Sequence, residues 1–340
     1  MSIYNFHTCT HTSTLVTLWA TLMAVVSLPA NAVNINYERL SSLEKPLAAH
    51  FGDTTLVLTG LTDASFKHLK EPDDNSDFSL LANFQLSAET QLANSWTLGA
   101  AYFGQYQDIN DDRYYDNAAL YLGGVWGTAT IGNVSGLVNE QTRRARGAGN
   151  AELSFDDHLG QLSDVGVNYI GRFGPSQLLA TIDENGDFDI ASIYQRPLDN
   201  KDYRFSVRYR QSQFSPASGT VNFDSNAVSV VGELTYGSTI FDIGLGVEQL
   251  SSDSVNLDRR TVSVGSMRKT GLWTFSGEAH FGDIEGQQES AYALGLKYDV
   301  ARGMSVNLGI NHSDANVNVN GVSILQQEQT EGRLSFRYSF

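Results

Sequence analysis

RLSFRYSF, residues 333–340, closes the sequence. Leu334, Phe336, Tyr338 and Phe340 fall on one parity, and Arg333, Ser335, Arg337 and Ser339 on the other. Strict alternation is the period of a β-strand with one apolar and one polar face. A soluble domain usually frays at its terminus and has little use for an aromatic ring on its last residue. The stretch therefore predicts a final strand whose greasy face is needed up to its last atom.

The chain has 340 residues, a formal net charge of −16, 18% charged residues, 31 Gly, 6 Pro and a single Cys. Charged residues are fewer than the roughly 25% of an average globular protein. Residues 1–32 contain no Asp, Glu, Lys or Arg. They carry the apolar run LVTLWATLMAVVSL (15–28), then Pro29 and Ala30-Asn31-Ala32. That pattern predicts a secretory signal with cleavage after Ala32. Its amino-terminal region lacks Lys and Arg and offers only His7 and His11, so a retained membrane anchor is the alternative. Cleavage removes Cys9, which excludes disulfides, zinc–thiolate sites and thiol chemistry from the mature chain. No later apolar run approaches the ~20 residues of a spanning helix. The exported chain either dissolves in the periplasm or enters an outer membrane as a barrel.

Residues 33–53 read as a polar, irregular periplasmic segment, with room for a short helix over ERLSSLEKPLAAHF (38–51). From Thr54 onward the pattern predicts sixteen strands: 54–67, 77–92, 96–108, 115–124, 127–136, 164–173, 176–184, 187–197, 203–214, 224–236, 239–251, 260–269, 272–284, 289–300, 304–315 and 329–340. Phe78, Leu80, Ala82, Phe84 and Leu86 share a face opposite Asn83, Gln85 and Ser87. Tyr203, Phe205, Val207 and Tyr209 oppose Arg204, Ser206, Arg208 and Arg210. Short links such as 125–126, 174–175, 237–238 and 270–271 take turns with longer polar ones. EPDDNSD (71–77), INDDRYYD (109–116), SPASGTVNFD (215–224) and DANVNVNGVSILQQEQ (314–329) are of the long kind. Short turns on one rim and long loops on the other mark an all-β, antiparallel transmembrane barrel. In lipid every backbone N–H and C=O must be paired, and closure removes the sheet edges. Trp96, Trp273, Tyr298 and Tyr338, at segment ends, suit interfacial girdles. A secreted β-sandwich or solenoid also alternates and is the competing fold.

A carboxy-terminal Phe340 preceded by Tyr338, Phe336 and Leu334 resembles the signal read by the outer-membrane barrel-assembly machinery. Sixteen segments, a signal peptide and one loop longer than the others resemble the trimeric Gram-negative porins. DNAALYLGGVWGTATIGNVSG (116–136) is similar to the hairpin that leads into the porin constriction loop, and DVGVNYIGRFGPSQLLATID (164–183) to the strands that leave it. The resemblance implies a sixteen-stranded barrel in the outer membrane, an inward-folded third loop, a homotrimer, contact with lipopolysaccharide, and passive diffusion of small hydrophilic solutes and ions. It implies no cofactor.

The longest connection, 134–163, exceeds what a compact fold tolerates without a functional reason. It carries Arg143, Arg144 and Arg146, then Glu152, Asp156 and Asp157. In a narrow aqueous pore such charges set ion selectivity, because low-dielectric walls focus the field. These six residues are the expected constriction; a solvated surface loop is the alternative. The family's paired-glycine acidic motif is absent from the loop. Arg172, Arg204, Arg208, Arg210, Arg333 and Arg337 are expected on the lumen wall, since an arginine facing lipid costs a few kcal/mol. They line the pore, or they form structural ion pairs with Glu233, Asp242, Glu248 and Glu278.

DENGDFD (183–189) spaces oxygen ligands like a calcium loop but lacks the distal Glu. Asn185-Gly186 is also a hairpin signal, and the hairpin is the preferred reading. Of the mature histidines 50, 68, 158, 280 and 312, only His280, beside Glu278, sits clearly on a predicted lumenal face. No G-x-S-x-G, H-E-x-x-H or P-loop occurs, so catalysis is not expected. Neither a metal site nor nucleic-acid binding is expected. A sugar-specific channel would need a ladder of lumenal aromatics, whereas most aromatics here fall on the lipid parity. A non-conducting structural or adhesive barrel is the other alternative.

Overall fold

The computed structural model describes residues 34–35, 47–70, 75–109, 111–134, 136–144, 147, 158–199, 201–216, 221–252, 255–319 and 322–340. The signal segment 1–32 lies outside them. Sixteen antiparallel strands follow one another around the wall. They are β1 (Thr54–Leu69), β2 (Asn75–Gln91), β3 (Thr97–Ile109), β4 (Asp111–Gly124), β5 (Gly127–Asn133), β6 (Val165–Phe173), β7 (Ser176–Asp183) and β8 (Phe188–Leu198). Then come β9 (Lys201–Phe214), β10 (Phe223–Tyr236), β11 (Thr239–Ser251), β12 (Asn256–Thr270), β13 (Trp273–Ile284), β14 (Gln287–Ala301), β15 (Met304–Val319) and β16 (Val322–Ser339). Each pairs with its neighbour in sequence, and β16 pairs with β1 to close the barrel.

The predicted strands match these elements to within a few residues, and three stretches read otherwise are strands. INDDRYYD, read as a long polar loop, is strand on both sides of residue 110, with β3 running to Ile109 and β4 starting at Asp111. Leu47–Phe51, inside the stretch read as a possible helix, is a short strand paired with the start of β1, Leu47 opposite Leu58 and Phe51 opposite Thr54. Pairing with an existing edge outweighs a helix too short to stand alone. DANVNVNGVSILQQEQ, read as a polar loop, instead extends the β15–β16 hairpin to Val319 and Val322. Val317 and Ile324 there are buried in a cluster with Phe223, Leu250, Leu257 and Ile284. This cluster sits on the lumenal side at the outer strand ends, where apolar residues replace the usual polar ones and mask the alternation.

The opposite parity is exposed and apolar. Phe66, Phe78, Leu98, Leu120, Phe275, Leu294, Leu308, Leu334 and Phe336 are each exposed and form the lipid-facing band. Tight turns join the strands at one rim, where β1 begins and β16 ends. Two of them place Gly237 and Gly271 at φ 58° and 60°, a conformation glycine adopts without steric cost. Aromatics gather at the same rim. Trp126 stacks on Tyr169 at 6.1 Å between ring centres and meets Trp96 edge-on at 6.2 Å. Trp273 lies 4.5 Å from Tyr298.

The seam shows what the terminal ring does. β16 covers β1 from Leu61 to Leu69. Phe340 extends the ladder by one residue, exchanging two 3.0 Å backbone hydrogen bonds with Gly60. Below it, Leu47–Phe51 covers β1 from Thr54 to Leu58, so the edge of β1 is paired along its length. Gly60 gives the Phe340 ring its seat, since a Cβ there would collide with the ring carbons. On the lumenal face Arg337 donates from Nε and Nη2 to Asp63 Oδ2 at 2.9 and 2.8 Å, and Arg333 approaches Asp63 at 3.9 Å.

Candidate functional site

The chain leaves β5 at Asn133 and returns at Val165, and the described parts of the intervening loop lie inside the barrel. Leu137–Thr142 forms a short helix, α1. Its Val138 is buried against Leu179, Ala191 and Ile193 on the inner face of β7 and β8. An apolar anchor on a lumenal wall draws the segment inward, because burial of one such side chain contributes about 1.5–3 kcal/mol.

A helix of six residues leaves most of its carbonyls without helical partners. Here β9 supplies donors. Arg204 donates to the carbonyls of Gln141 and Arg143, and Ser206 Oγ donates to that of Thr142 at 3.1 Å. Arg208 Nη1 donates to Asn139 Oδ1 at 2.6 Å. The alternation that placed Arg204, Ser206 and Arg208 on one face of β9 thus aligns three donors along one segment.

Arg144 then reaches further along the inner wall. It is 4% exposed and its Nη1 lies 2.8 Å from Asp242 Oδ1 of β11, while Nη2 lies 3.4 Å from Glu278 of β13. Its aliphatic stem passes over Gly244, where an added Cβ would come within 3.0 Å of Cδ. The returning limb is held as firmly. The amides of Leu159 and Gly160 each donate to Glu248 at 3.0 Å, and Arg210 Nη1 donates to the Gly160 carbonyl at 2.6 Å. Gly160 approaches so closely that a Cβ would collide with Ser212 and Ser225.

Beneath and around the loop the charges form a connected, buried set. Asp189 accepts from Arg208 Nη2 at 2.7 Å and from Arg210 Nε at 3.0 Å. Arg204 pairs with Glu233 at 2.7 Å. Arg259, 2% exposed, bridges Glu248 at 3.2 Å and Glu289 at 2.7 Å. In this set five arginines (144, 204, 208, 210, 259) meet six carboxylates (189, 233, 242, 248, 278, 289), which leaves a near balance of charge. The arginines of β9 are therefore engaged in ion pairs, and Arg208 and Arg210 share Asp189, which the sequence offered as a spaced oxygen of DENGDFD and not as their partner. Arg259 and Glu289 also escaped it, because Arg259 precedes the predicted start of its strand. A clearer signal was the odd parity that Arg259 shares with Ser263.

The remaining expected residues separate. Arg143 sits on the loop, 2.8 Å from Glu140. Arg172 is exposed at the tight-turn end of β6. Arg333 and Arg337 belong to the seam. Arg146, Glu152, Asp156 and Asp157 lie outside the described residues.

DENGDFD forms the β7–β8 turn. Asp183 Oδ1 accepts the amides of Asn185 and Asp187 at 2.8 and 3.0 Å, and Oδ2 accepts that of Ser163 at 2.8 Å. Its carboxylate thus ties the turn to the end of the loop. Burial, and then the charges of Asp183 and Asp224, raises the Asp187 carboxyl above its ordinary range. Among the described residues no three His, Cys, Asp or Glu side chains gather as metal ligands.

His280 is fully buried, with Nδ1 2.7 Å from Ser263 Oγ and Nε2 3.1 Å from Glu289. The order of groups looks like a hydrolytic triad, but nucleophilic catalysis needs a serine that substrate can reach. Ser263 is 4% exposed. The run cements the wall instead.

A family model for Gram-negative porins matches residues 20–321. No curated protein sequence matches the chain. Among solved structures, the trimer form of OmpT, an outer membrane protein of Vibrio cholerae, is similar with a TM-score of 0.69 at 12% identity, covering 84% of this chain and 99% of that one. The anion-selective porin from Comamonas acidovorans has a TM-score of 0.63 at 13% identity, covering 85% and 100%. A mutant of the Rh. blastica porin has a TM-score of 0.58 at 16% identity, covering 84% and 100%.

Proposed function

The chain belongs to the Gram-negative porin family and forms an integral outer-membrane channel for passive diffusion; from that premise we propose that the 134–163 loop sets its bore and its ionic preference. Family and fold point to a channel rather than an enzyme. The observation that carries the proposal is Arg144, a loop residue held on the lumenal wall by Asp242 and Glu278. A segment anchored to both β7–β9 and β11–β13 occupies part of the aqueous cross-section. Arg143, Arg146, Glu152, Asp156 and Asp157 belong to the same constriction in this reading.

One of the similar solved structures is an anion-selective porin, yet the lumenal arginines here are matched by carboxylates. We therefore expect a weak cation preference. Arg144→Gln removes one positive charge from the lumenal wall and leaves two carboxylates without that partner. In a sealed interior such a loss costs about 3–5 kcal/mol, and water in a pore lowers the figure. The expected result is a folded channel whose cation-over-anion permeability ratio rises about twofold. Reversal potentials in a potassium chloride gradient measure it. An anion-preferring wild type, or a ratio that falls in the variant, would contradict the proposal.

We further propose a homotrimer assembled through the outer face of β1–β5. Tyr102 Oη donates to Asp116 Oδ2 at 2.7 Å and meets Tyr114 Oη at 2.9 Å, all on the outward parity. A carboxylate facing lipid is costly. Beside it lies a concavity of about 560 Å³, lined by Leu56, Leu86, Ala88, Ala100, Ala118 and Leu120. Small side chains let another wall approach closely. The similar OmpT structure is a trimer form. Filling the concavity with Ala100→Leu and Ala118→Leu is expected to convert trimers to monomers, as read by light scattering in mild detergent. A wild type that is already monomeric there would defeat the assembly. Recognition of Leu334, Phe336, Tyr338 and Phe340 by the barrel-assembly machinery, and of lipopolysaccharide by the acidic outer loops, belongs to the same reading.

A further inference from the structure

The lumen has two unlike walls. From β7 to β14 its charged side chains are paired with each other or with the loop. From β2 to β4 the wall carries a different chemistry at mid-height. The register sets Asn83 beside Gln105 and Gln105 beside Tyr115 in one row. In the next row Gln85 lies beside Phe103 and Phe103 beside Asn117. All six are odd-numbered, opposite to the outward Phe78, Leu98 and Leu120, so all six face the channel.

Two strand spacings by two residues make this patch about 10 Å by about 7 Å. Its pattern is a checkerboard in which the two rings are diagonal neighbours, about 7–8 Å apart. Among the described residues, none of the four amide side chains makes a hydrogen bond to protein. Each amide offers two donors and two acceptor positions. Tyr115 is half exposed. The patch therefore combines apolar ring faces, unused hydrogen-bonding groups and no formal charge, in a lumen whose charges are balanced elsewhere.

We infer that this wall is a binding subsite for neutral polyhydroxylated solutes of the oligosaccharide class; the inference rests on the diffusion-channel reading above. A sugar ring presents C–H faces that pack on Phe103 and Tyr115, and equatorial hydroxyls that reach Asn83, Gln85, Gln105 and Asn117. Such a ligand gains from both halves of the checkerboard. A hydrated ion gains little from ring faces open to water, and an apolar solute nothing from the amides. The site is shallow and open to water, so solutes bind briefly and move on, as conduction requires.

Single-channel recording of the reconstituted protein in potassium chloride, with maltotriose added to one side, tests this. Maltotriose is expected to produce brief, saturable interruptions of the current, and a polyethylene glycol of similar mass is expected to produce none. Phe103→Ala and Tyr115→Ala should each lower the association constant about five- to tenfold. The double variant Asn83→Ala, Gln105→Ala should lower it about fivefold, each compared with its own open-channel current. Phe66→Ala on the lipid face should leave it unchanged. Steady conduction indifferent to maltotriose, or equal interruption by polyethylene glycol, overturns the subsite and leaves the channel reading standing. Folded protein that passes no current overturns both.

Discussion

Channels lacking residues 137–160, with Val134 joined to Asp164 through a short flexible link, are expected to assemble and to conduct about twofold more current or more, because the removed segment occupies lumen that a sixteen-stranded wall otherwise leaves to water. The wall tolerates the loss, since its ladder hydrogen bonds run from strand to strand. The side chains that held the loop also tolerate it. Arg208 and Arg210 keep Asp189, and Arg259 keeps Glu289. Asp242 and Glu278 lose Arg144 but gain water, which screens them far better than a sealed interior would. Their added negative charge should raise cation preference along with conductance, and larger neutral sugars should permeate. Neutralising Glu152, Asp156 and Asp157 together should instead weaken cation preference with little change in size cutoff. Conductance and size cutoff measured on the folded deletion variant decide the matter. Values equal to wild type would mean that the loop does not narrow the pore.

Deleting Phe340 is expected to lower the amount of folded barrel recovered from outer membranes about tenfold or more. Its two hydrogen bonds with Gly60 lie between the part of β1 covered by β16 and the part covered by Leu47–Phe51. Unpaired backbone groups at membrane depth cost several kcal/mol. Gly60→Leu separates closure from recognition of the terminus. It leaves the last residues intact but drives a side chain into the ring's seat. If only the terminal sequence matters to assembly, Gly60→Leu should assemble normally. If the seam geometry matters as well, both variants should fail, as judged by heat-modifiable mobility of the membrane fraction. Wild-type levels of folded protein from the Phe340 deletion would remove the seam from the account.

The strands were legible because their information is local. Phe78 to Leu86 alternate with Asn83, Gln85 and Ser87 whatever lies elsewhere, and the period of two assigns each side chain to lipid or lumen. Legibility failed where local pattern and environment part company. DANVNVNGVSILQQEQ looks like a loop because its outward face is polar, with Asp314, Asn316 and Asn318 where the rest of β15 is apolar. There Val317 and Ile324 turn inward against Phe223 and Leu257. LAAHF looks helical because nothing near it announces that the edge of β1 needs a partner.

From residue order alone come the sixteen-stranded barrel, its orientation, its lipid face and the presence of one unusually long loop. The partners of that loop come only from closure. Arg144 and Asp242 are 98 residues apart, and Arg337 and Asp63 are 274 apart. Parity places Asp63, Asp242 and Arg337 on the lumenal face, but it says nothing of the loop residue Arg144, nor which side chain each one meets. That choice depends on strand register around the circumference and on where α1 docks, and both are set by the summed packing of the whole ring. The same holds for the checkerboard of Asn83, Gln85, Phe103, Gln105, Tyr115 and Asn117. Each residue is placed on its face by its own strand, and only the register of three strands makes them one surface.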